Sequence, residues 1–472
     1  MDTITVPQRE IPVIGEYDVI VAGGGPGGIP AAVAAARAGG KTLLVERYGY
    51  LGGMATAGLI AVILGVRASG TDEPMIGGIA EELCRRMAEL DGAPPYEEAI
   101  ASGGIRFEPE AFKLASDELV LDAGCELLLH SWAANTVVDD GRVQALVLEG
   151  KSGPRAVLGE VFVDATGDAD LVAQAGADFT FGRSADGAVQ SMGSMFRIGG
   201  ADSQRLPTGE AMEDFRRRAR QAIDEGRITA YNPHWGGAIA GKDRGQYMAN
   251  CTRFAGDPCS VEDLTRGEVQ IRRDTWEIVD FWRECVPGME EAYLIQTPPH
   301  IGLRESRQMV GLEVVTGQDV TEARRRDDAV ARCPYWIDIH CPLGRVKHDT
   351  HLCYTGCPNE PPCAMYEEHY DELPGDPDAE SDRAGLYPRD GLWFDIPWGS
   401  LVSAEIQNLL AAGRAISADH QAMAALRVMG PCMAIGQAAG EGAAMAADAD
   451  GNAAAVEISA LQERLRANGA AV

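Results

Sequence analysis

The clearest pattern of hydrophobic and polar positions lies in residues 17–46, where apolar runs alternate with a glycine cluster and an alanine-rich stretch. Residues 17–21 are mostly apolar and β-branched, as expected for a buried strand, and residues 42–45 repeat that pattern. Between them, residues 31–38 are rich in alanine and predict a helix. Strand, tight turn, helix and strand in this order predict one βαβ unit.

The turn of this unit contains Gly23-x-Gly25-x-x-Gly28, and the second strand ends at Glu46. Glycine lets the backbone turn sharply and lets a pyrophosphate approach the chain. A helix that begins near Gly27 directs free N–H groups and the positive end of its dipole at phosphates. An acid about 20 residues after the turn can accept hydrogen bonds from both ribose hydroxyls. The unit therefore predicts a dinucleotide site that favours FAD or NAD over NADP, without choosing between FAD and NAD.

Beyond this unit the pattern predicts further helices and strands. Helical periodicity covers residues 78–90, 109–123 and 262–285, and the last of these segments is amphipathic. Short apolar runs between residues 126 and 163 predict strands, and the last of them enters a Gly/Asp turn. Near residue 200 the chain becomes more charged and less regular. The first pattern resumes near residue 391 with a strand, a turn and a helix of small residues.

Composition narrows the class of protein. At 472 residues the chain has room for two or three domains, and 46% hydrophobic residues is ordinary for a globular protein. The formal charge of −30 disfavours nucleic acid and anionic membranes as partners. No apolar run reaches the roughly 20 residues that a membrane span needs, and the first ten residues predict no secretory signal. The 11 scattered cysteines, an odd count, fit reduced thiols, so we expect a cytoplasmic protein.

Several segments together resemble one family: the glycine turn with Glu46, and residues 51–56, 164–168, 304–307, 408–414 and 417–440. In these segments the chain is similar to FAD-dependent oxidoreductases of the glutathione-reductase-like superfamily. More narrowly, it resembles a bacterial family whose flavin domain is related to that of heterodisulfide reductase A subunits. The resemblance implies an α/β fold, a Rossmann-like FAD-binding domain of the ββα type with an inserted, mixed α+β substrate or cap domain. The expected boundaries are 1–200 and 386–472 for the two parts of the FAD-binding domain and 201–385 for the insert.

The resemblance also implies where an extended, non-covalently bound FAD lies. The turn would cradle its pyrophosphate, residues 52–56 would line the isoalloxazine edge, and Trp132 would lie near adenine. A helix from about Pro431 would direct its N-terminus at the pyrimidine end of the flavin, where the reduced ring carries negative charge. Only one GxGxxG is present, so we expect FAD to be the sole dinucleotide. The residues implied to contact FAD are Gly23, Gly25, Pro26, Gly27, Gly28, Glu46, Arg47, Gly52, Gly53, Met54, Thr56, Trp132, Ala133, Thr166, Gly167, Asp168, Gly413, Arg414 and Gly436.

Two pairs of residues are candidates for chemistry. Arg304 and Arg307 stand three apart, so on a helix they would share a face and could bind a carboxylate. A salt bridge to a neighbouring glutamate is the alternative. His420 and Arg427 stand seven apart and would also share a helical face. The family pattern has His and Arg at these places, which makes His420 the candidate general base.

Histidines and cysteines are dense in one irregular stretch, namely Cys333, Cys341, His348, His351, Cys353, Cys357 and Cys363. Thiolates and imidazoles this close together could bind zinc or an iron–sulfur cluster. Their spacings match no standard zinc or ferredoxin motif. We therefore expect free or packed thiols and no metal site, with the metal as the alternative.

These features lead to one leading hypothesis and two alternatives. The first is an FAD-dependent dehydrogenase or oxidase of a small organic substrate, including a carboxylated one. Hydride would pass to flavin N5, and O₂ or an electron-transfer partner would reoxidise the flavin. The second is an electron-transfer subunit of a heterodisulfide-reductase-like complex, with a cluster at the cysteine stretch. The third is a non-catalytic flavin-binding protein. None of them requires nucleic acid or a membrane, and a homo-oligomer is left open.

Overall fold

A computed structural model describes residues 3–4, 9–68, 71, 73–184, 186–230, 239–240, 245–340, 342, 388 and 392–472. The strands are β1 (Val13–Ala22), β2 (Thr42–Val45), β3 (Val62–Ile63), β4 (Ile105–Arg106), β5 (Glu126–Leu128), β6 (Trp132–Asp139), β7 (Arg142–Glu149), β8 (Arg155–Asp164), β9 (Phe179–Phe181), β10 (Met195–Gly199), β11 (Ile239–Ala240), β12 (Tyr247–Asn250), β13 (Tyr293–Gln296), β14 (Arg307–Met309), β15 (Ala329–Cys333), β16 (Phe394–Pro397) and β17 (Leu409–Ala411). The helices are α1 (Gly28–Arg37), α2 (Ile79–Glu89), α3 (Tyr96–Ala101), α4 (Pro109–Asp122), α5 (Asp170–Gln174), α6 (Glu210–Asp224), α7 (Val261–Cys285), α8 (Gly317–Glu322), α9 (His420–Leu426), α10 (Met429–Ala447) and α11 (Ile458–Ala467).

The segment predicted as a βαβ unit forms β1, α1 and β2, and β1 pairs in parallel with β2. Residues 19–22 of β1 are all buried, which fits a strand that is covered on both faces. Helix α1 consists mainly of small residues and is buried along most of its length. Helices α2, α4 and α7 also lie within a residue or two of the segments with helical periodicity.

Among the described residues, seven strands form the main sheet, in the order β5-β2-β1-β8-β7-β6, with β17 paired to β8. Strands β5, β2, β1, β8 and β17 run parallel, whereas β7 and β6 add an antiparallel edge. The fold is therefore α/β with a Rossmann-like parallel core. Parallel strands bring their carboxyl ends to one edge of the sheet, where open α/β sheets bind ligands.

Among the described residues, β11, β12, β10 and β13 form a smaller, separate antiparallel sheet in that order. Helices α6 and α7 pack against this sheet and share a separate apolar cluster with it. Phe196 of β10, Phe215 of α6 and Trp282 of α7 are fully buried there. Most of this cluster lies within the predicted insert, 201–385, but Phe196 and Ile198 of β10 precede that boundary.

Part of the predicted insert packs differently. Val315, Val320, Val330 and Ile337 belong to the apolar core of the main sheet, although the sequence placed residues 201–385 in one insert. Strand β15 pairs with β16, which lies beyond residue 386, so a long-range pairing attaches this segment to the main core. The local pattern does not reveal that partner, because sheet pairing is decided by distant parts of the chain. The exact domain boundaries stay a prediction.

Candidate active site

The carboxyl ends of β1, β2 and β8 open into one cleft of about 430 Å³, a volume typical of ligand sites. Gly23 follows β1, Glu46 follows β2 and Ala165 follows β8, and all three line the cleft. The wall continues through Gly413 to the start of α10. The two chain ends that the sequence analysis joined at the cofactor therefore do meet in one cleft.

The glycines of the turn serve different purposes. A Cβ on Gly28 would lie 1.7 Å from the carbonyl oxygen of Gly23, and Gly23 itself has a φ of +103°. These two positions need glycine because backbone approaches backbone there. A Cβ on Gly25 would meet only the Cα of Gly53, at 3.7 Å, and Gly25 lines the cleft. At Gly25 the missing side chain leaves space for a ligand.

Helix α10 packs directly on α1 through glycines. A Cβ on Gly436 would lie 2.0 Å from the oxygen of Gly27, and one on Gly440 would lie 2.1 Å from the oxygen of Ala31. Gly436 was predicted to contact FAD, but it does not line the cleft. Its place is between the two helices, where it lets the N-terminal part of α10 approach the glycine turn.

Three other predicted contact residues also lie outside the cleft wall. Gly28 is enclosed by the turn itself, and Gly52 has a φ of +113° at the start of a short 3₁₀ turn, residues 53–55. The hydroxyl of Thr56 donates to the oxygen of Leu51 at 2.8 Å. Gly52 and Thr56 thus shape the loop that presents Gly53 and Met54, both of which line the cleft.

The carboxylate of Glu46 is anchored by the backbone around it. One oxygen accepts from the N–H of Gly24 at 2.7 Å, and the other accepts from the N–H of Tyr48 at 2.8 Å. Burial raises the pKa of this carboxyl above its ordinary value, and the backbone donors oppose that rise. Each carboxylate oxygen keeps lone-pair capacity beyond these bonds, so the group can still accept from ribose hydroxyls.

Next to Glu46, an arginine is held between two aromatic rings. The guanidinium of Arg47 lies 4.9 Å from the ring centre of Tyr48 and 5.0 Å from that of Trp132. One of its nitrogens also lies 3.5 Å from Nε2 of His300. Arg47, Trp132 and Ala133 line the cleft, and the place of Trp132 and Ala133 beside adenine stays a prediction. Flat cationic and aromatic groups of this kind suit stacking against a planar ring.

A second group of charges surrounds the loop after β8, where Thr166, Gly167 and Asp168 line the cleft. One oxygen of Asp168 accepts from the hydroxyl of Ser306 at 2.7 Å and from Arg414 at 3.1 Å. The other terminal nitrogen of Arg414 is buried without a hydrogen-bond partner among the described residues. That unsatisfied donor beside the glycine turn suits a phosphate or a flavin oxygen.

The same loop contains a residue that the sequence analysis did not select. Asp170 lines the cleft and pairs with Arg307, and burial together with nearby Asp168 raises its pKa to about 6. Arg307 also donates to the backbone oxygen of Asp168 at 2.8 Å and does not itself line the cleft. Arg307 therefore stabilises the loop after β8. The acid-rich turn in the sequence was the signal that could have included Asp170.

Residues 303–309 do not form the helix on which Arg304 and Arg307 would share a face. Arg304 lies in a loop and Arg307 begins β14, so the two side chains do not share a helical face. Arg304 lines the cleft and donates to the backbone oxygen of Ser191 at 2.6 Å. The i, i+3 argument was conditional on a helix, and the chain is extended there instead.

His420 is the second candidate that the structure places elsewhere. It is the first residue of α9, is buried and does not line the cleft. Its Nδ1 lies 2.7 Å from a carboxylate oxygen of Glu305, whose other oxygen accepts from the N–H of Gln190 at 2.9 Å. His420 therefore holds Glu305, and with it the loop that carries Arg304, and its role as a general base stays a prediction. Arg427 follows the end of α9 and does line the cleft.

Residues 335–340 supply cleft residues that the sequence analysis missed. Tyr335, Asp338 and His340 line the cleft, and Arg427 donates to Asp338 at its backbone oxygen, 2.8 Å, and at a carboxylate oxygen, 3.2 Å. Burial, followed by the charges of nearby arginines, lowers the pKa of His340 well below its ordinary value. No local motif marks these residues, because they lie in an irregular segment that reaches the cleft through its packing on the main core.

Most of the stretch considered for a metal lies outside the described residues, namely Cys341, His348, His351, Cys353, Cys357 and Cys363. Cys333 is described and is a buried free thiol whose pKa burial raises. Within the described ranges, no group of three or more His, Cys, Asp or Glu side chains is arranged to hold a metal ion. Cys432, at the start of α10, lines the cleft as a buried thiol. In the described part of the chain, no helix is both long and apolar enough to cross a membrane.

Comparison with known proteins agrees with this site. Residues 18–465 match the family described as FAD dependent oxidoreductase, and the chain belongs to that family. FAD is therefore the cofactor of this protein, and the protein is an oxidoreductase. The structure fits the cofactor, because Gly25 leaves room at the turn, Glu46 faces the cleft and Arg414 offers an unpaired donor. The narrower relation to heterodisulfide reductase A subunits stays a prediction.

Individual relatives match shorter parts of the chain. Digeranylgeranylglycerophospholipid reductase 2 of Methanopyrus kandleri is 30% identical over 152 residues, which is 32% of this chain and 38% of that protein. Dihydrolipoyl dehydrogenase of Trypanosoma brucei brucei is 54% identical over 46 residues, 10% of each protein. The solved structure of a geranylgeranyl bacteriochlorophyll reductase-like protein from Thermoplasma acidophilum is 13% identical, with a TM-score of 0.43, covering 96% of this chain and 83% of that one. The chain thus spans less than half the length of the two reductases of Methanopyrus kandleri that it matches.

Proposed function

We propose that this protein oxidises a small organic substrate by hydride transfer to FAD. The observation that carries the proposal is the continuity of one cleft from the glycine turn to Arg304, His340 and Arg427. A dinucleotide along the turn and a second molecule against these side chains would then share one cavity. Bound FAD accepts a hydride from a C–H bond at its N5 position.

The residues of the chain bind and orient in this scheme. The turn at Gly25 and the unpaired donor of Arg414 face the anionic part of the cofactor, and Glu46 faces its ribose. The carboxylate of Asp168 accepts hydrogen bonds from Arg414 and from Ser306, and these bonds fix the position of the guanidinium. These contacts fix the geometry before substrate arrives, which is the main contribution of a protein to cofactor chemistry.

The source of the oxidant for the second half-reaction is also part of the proposal. We expect O₂ or an electron-transfer partner to reoxidise the flavin, in the cytoplasm, and we expect no nucleic acid or membrane partner. A homo-oligomer is compatible with this scheme. No observation on the described residues favours the electron-transfer subunit or the non-catalytic flavoprotein, so neither is proposed.

An anaerobic screen tests the proposal. Purified protein loaded with FAD is mixed, without oxygen, with sets of small alcohols, amines and their carboxylated counterparts, and the visible absorbance of the flavin is followed. The expected result is loss of the oxidised flavin spectrum with one chemical class, and its return on admitting air or an artificial acceptor. If dithionite reduces the bound flavin but no compound of any class does, the proposed direction of the reaction is wrong.

A further inference from the structure

Part of the cleft wall is built from arginine side chains and one histidine. Arg304, His340 and Arg427 line the cleft, and Arg253 is buried close enough to His340 to act on its charge. We call these four residues the arginine wall. They come from four separate segments of the chain, so the fold assembles the wall at the cleft rather than along one helix or strand.

A carboxylate also belongs to this part of the cleft wall. Asp338 contributes one carboxylate and is paired with Arg427 at 3.2 Å, and it lies 3.7 Å from Nε2 of His340. Glu305, next to Arg304, faces His420 and the N–H of Gln190 instead. The guanidinium groups of Arg304 and Arg427 line the cleft itself, and guanidinium groups suit planar anionic ligands.

One donor of the wall is unsatisfied. Nε of Arg427 is buried and has no hydrogen-bond partner among the described residues. Buried guanidinium nitrogens are normally paired, so an unpaired one in a cleft indicates a partner that arrives with the ligand. The cleft also has apolar lining residues, among them Leu64, Leu303 and Met429, beside polar ones such as Ser194 and Asn250.

We infer that the arginine wall binds the carboxylate of a substrate with an apolar body, with Arg304 and Arg427 as donors and neutral His340 beside them. The inference rests on the proposed function, because it names the substrate class of the same cleft. A carboxylate is planar and accepts from guanidinium groups in pairs, whereas a neutral amide of the same shape offers one acceptor and adds N–H donors. The apolar lining favours an aromatic or branched aliphatic acid over a small hydrophilic one.

The state of His340 makes a distinct pH prediction. Arg253, Arg304 and Arg427 face it and disfavour its protonation, while Asp338 is the carboxylate that lies near it. With its pKa held well below the ordinary value, His340 stays neutral from about pH 6 to about pH 8. Carboxylates are ionised and arginines are charged throughout that range, so affinity for a carboxylate should not change across it.

Benzoate and benzamide, matched in shape but not in charge, are the probes. Each is titrated at low salt into the oxidised, FAD-loaded enzyme, and binding is followed by the change in the visible flavin spectrum. We expect benzoate to bind at least about tenfold more tightly than benzamide, with no more than about a twofold change between pH 6 and pH 8. Arg427→Gln and Arg304→Gln should each weaken benzoate about tenfold and leave benzamide nearly unchanged.

Matched variants separate this inference from a general loss of structure. Arg266→Gln removes an exposed arginine on α7 and should leave both affinities unchanged. Arg427→Lys keeps the charge and should recover part of the benzoate affinity, provided that each variant holds one FAD per chain. Equal affinities for the two probes, unchanged benzoate binding in both Gln variants, or tightening of benzoate binding toward pH 6 would each overturn the inference. A protein that refuses FAD would instead overturn the proposed function.

Discussion

Two parts of the cleft wall are built by different means. The dinucleotide part is made mainly of backbone, with Gly23, Gly25 and Gly28 in one turn and Gly436 packed against it. The arginine wall is made of side chains that come from four distant segments. In the first part the absence of side chains creates the site, whereas in the second the charge on side chains creates it.

This difference indicates which feature of a ligand each part of the wall recognises. A backbone cradle recognises what all dinucleotides share, namely a pyrophosphate and a ribose. A charged wall of side chains recognises what distinguishes one substrate from another. The two parts should therefore respond to different substitutions, and the following predictions test that separation from the largest effect to the smallest.

Gly28→Ala should have the largest effect. The added Cβ would lie 1.7 Å from the oxygen of Gly23, and neither backbone segment can move away without opening the turn. We expect a loss of more than about 3 kcal/mol in the free energy of unfolding, together with loss of FAD. Denaturant unfolding of the apoprotein measures it. A Gly28→Ala protein as stable as the wild type would show that the turn is not closed in this way.

Glu305→Ala tests the support of the arginine wall. The substitution leaves His420 and the N–H of Gln190 without their buried acceptor, so we expect a loss of about 2 kcal/mol in the free energy of unfolding. Because Glu305 adjoins Arg304, benzoate should also bind more weakly while FAD is retained. Glu284→Ala, at an exposed position of α7, is the matched control and should change neither quantity. Unchanged stability of Glu305→Ala would show that this pair does not anchor the loop.

Gly25→Ala should affect the cofactor and not the fold. The Cβ meets only Gly53, at 3.7 Å, but projects into space that the pyrophosphate needs. We expect FAD to bind about tenfold more weakly, which corresponds to about 1.4 kcal/mol, with the stability of the apoprotein nearly unchanged. Equilibrium titration of apoprotein with FAD gives the affinity. An unchanged affinity would place the pyrophosphate away from Gly25.

Asp274 provides a smaller test outside the cleft. Burial raises its pKa to about 6, above the value of about 4 for an unfolded chain. The folded state therefore holds the proton more tightly, and this contribution to stability is present below about pH 4 and is lost as pH rises to about 6. Asp274→Asn should reduce this pH-dependent loss in the free energy of unfolding by about 1 kcal/mol. Asp280→Asn, at an exposed position, should leave the loss unchanged. Thermal unfolding from pH 4 to pH 7 measures it, and an identical pH profile for Asp274→Asn and wild type would contradict the assignment.

The sequence predicted the first part of the cleft well and the second part poorly. Residues 17–46 carry strand, turn, helix and acid in one local run, so β1, α1 and the turn at Gly23 could be recognised without tertiary information. The spacing of apolar and small residues along the chain also predicted helices α4, α7 and α10.

Side chains brought together by packing could not be recognised in the same way. His340 and Asp338 lie in an irregular segment that joins the main core through β15 and β16. His420 was selected because the family pattern has a histidine there, but neither that pattern nor its spacing from Arg427 says which residue reaches the cleft. Arg304 was selected for a helical pairing that does not form, yet it lines the cleft from a loop.

One paired measurement tests the separation of the two parts most directly. The dissociation constants of FAD, and of benzoate on the FAD-loaded protein, are determined for wild type, Gly25→Ala and Arg427→Gln. The account predicts that Gly25→Ala weakens the binding of FAD and leaves the affinity for benzoate unchanged. Arg427→Gln should weaken the binding of benzoate and leave the affinity for FAD unchanged. If Arg427→Gln weakens the binding of FAD as much as Gly25→Ala does and leaves the affinity for benzoate unchanged, the arginine wall belongs to the cofactor site and the account is contradicted.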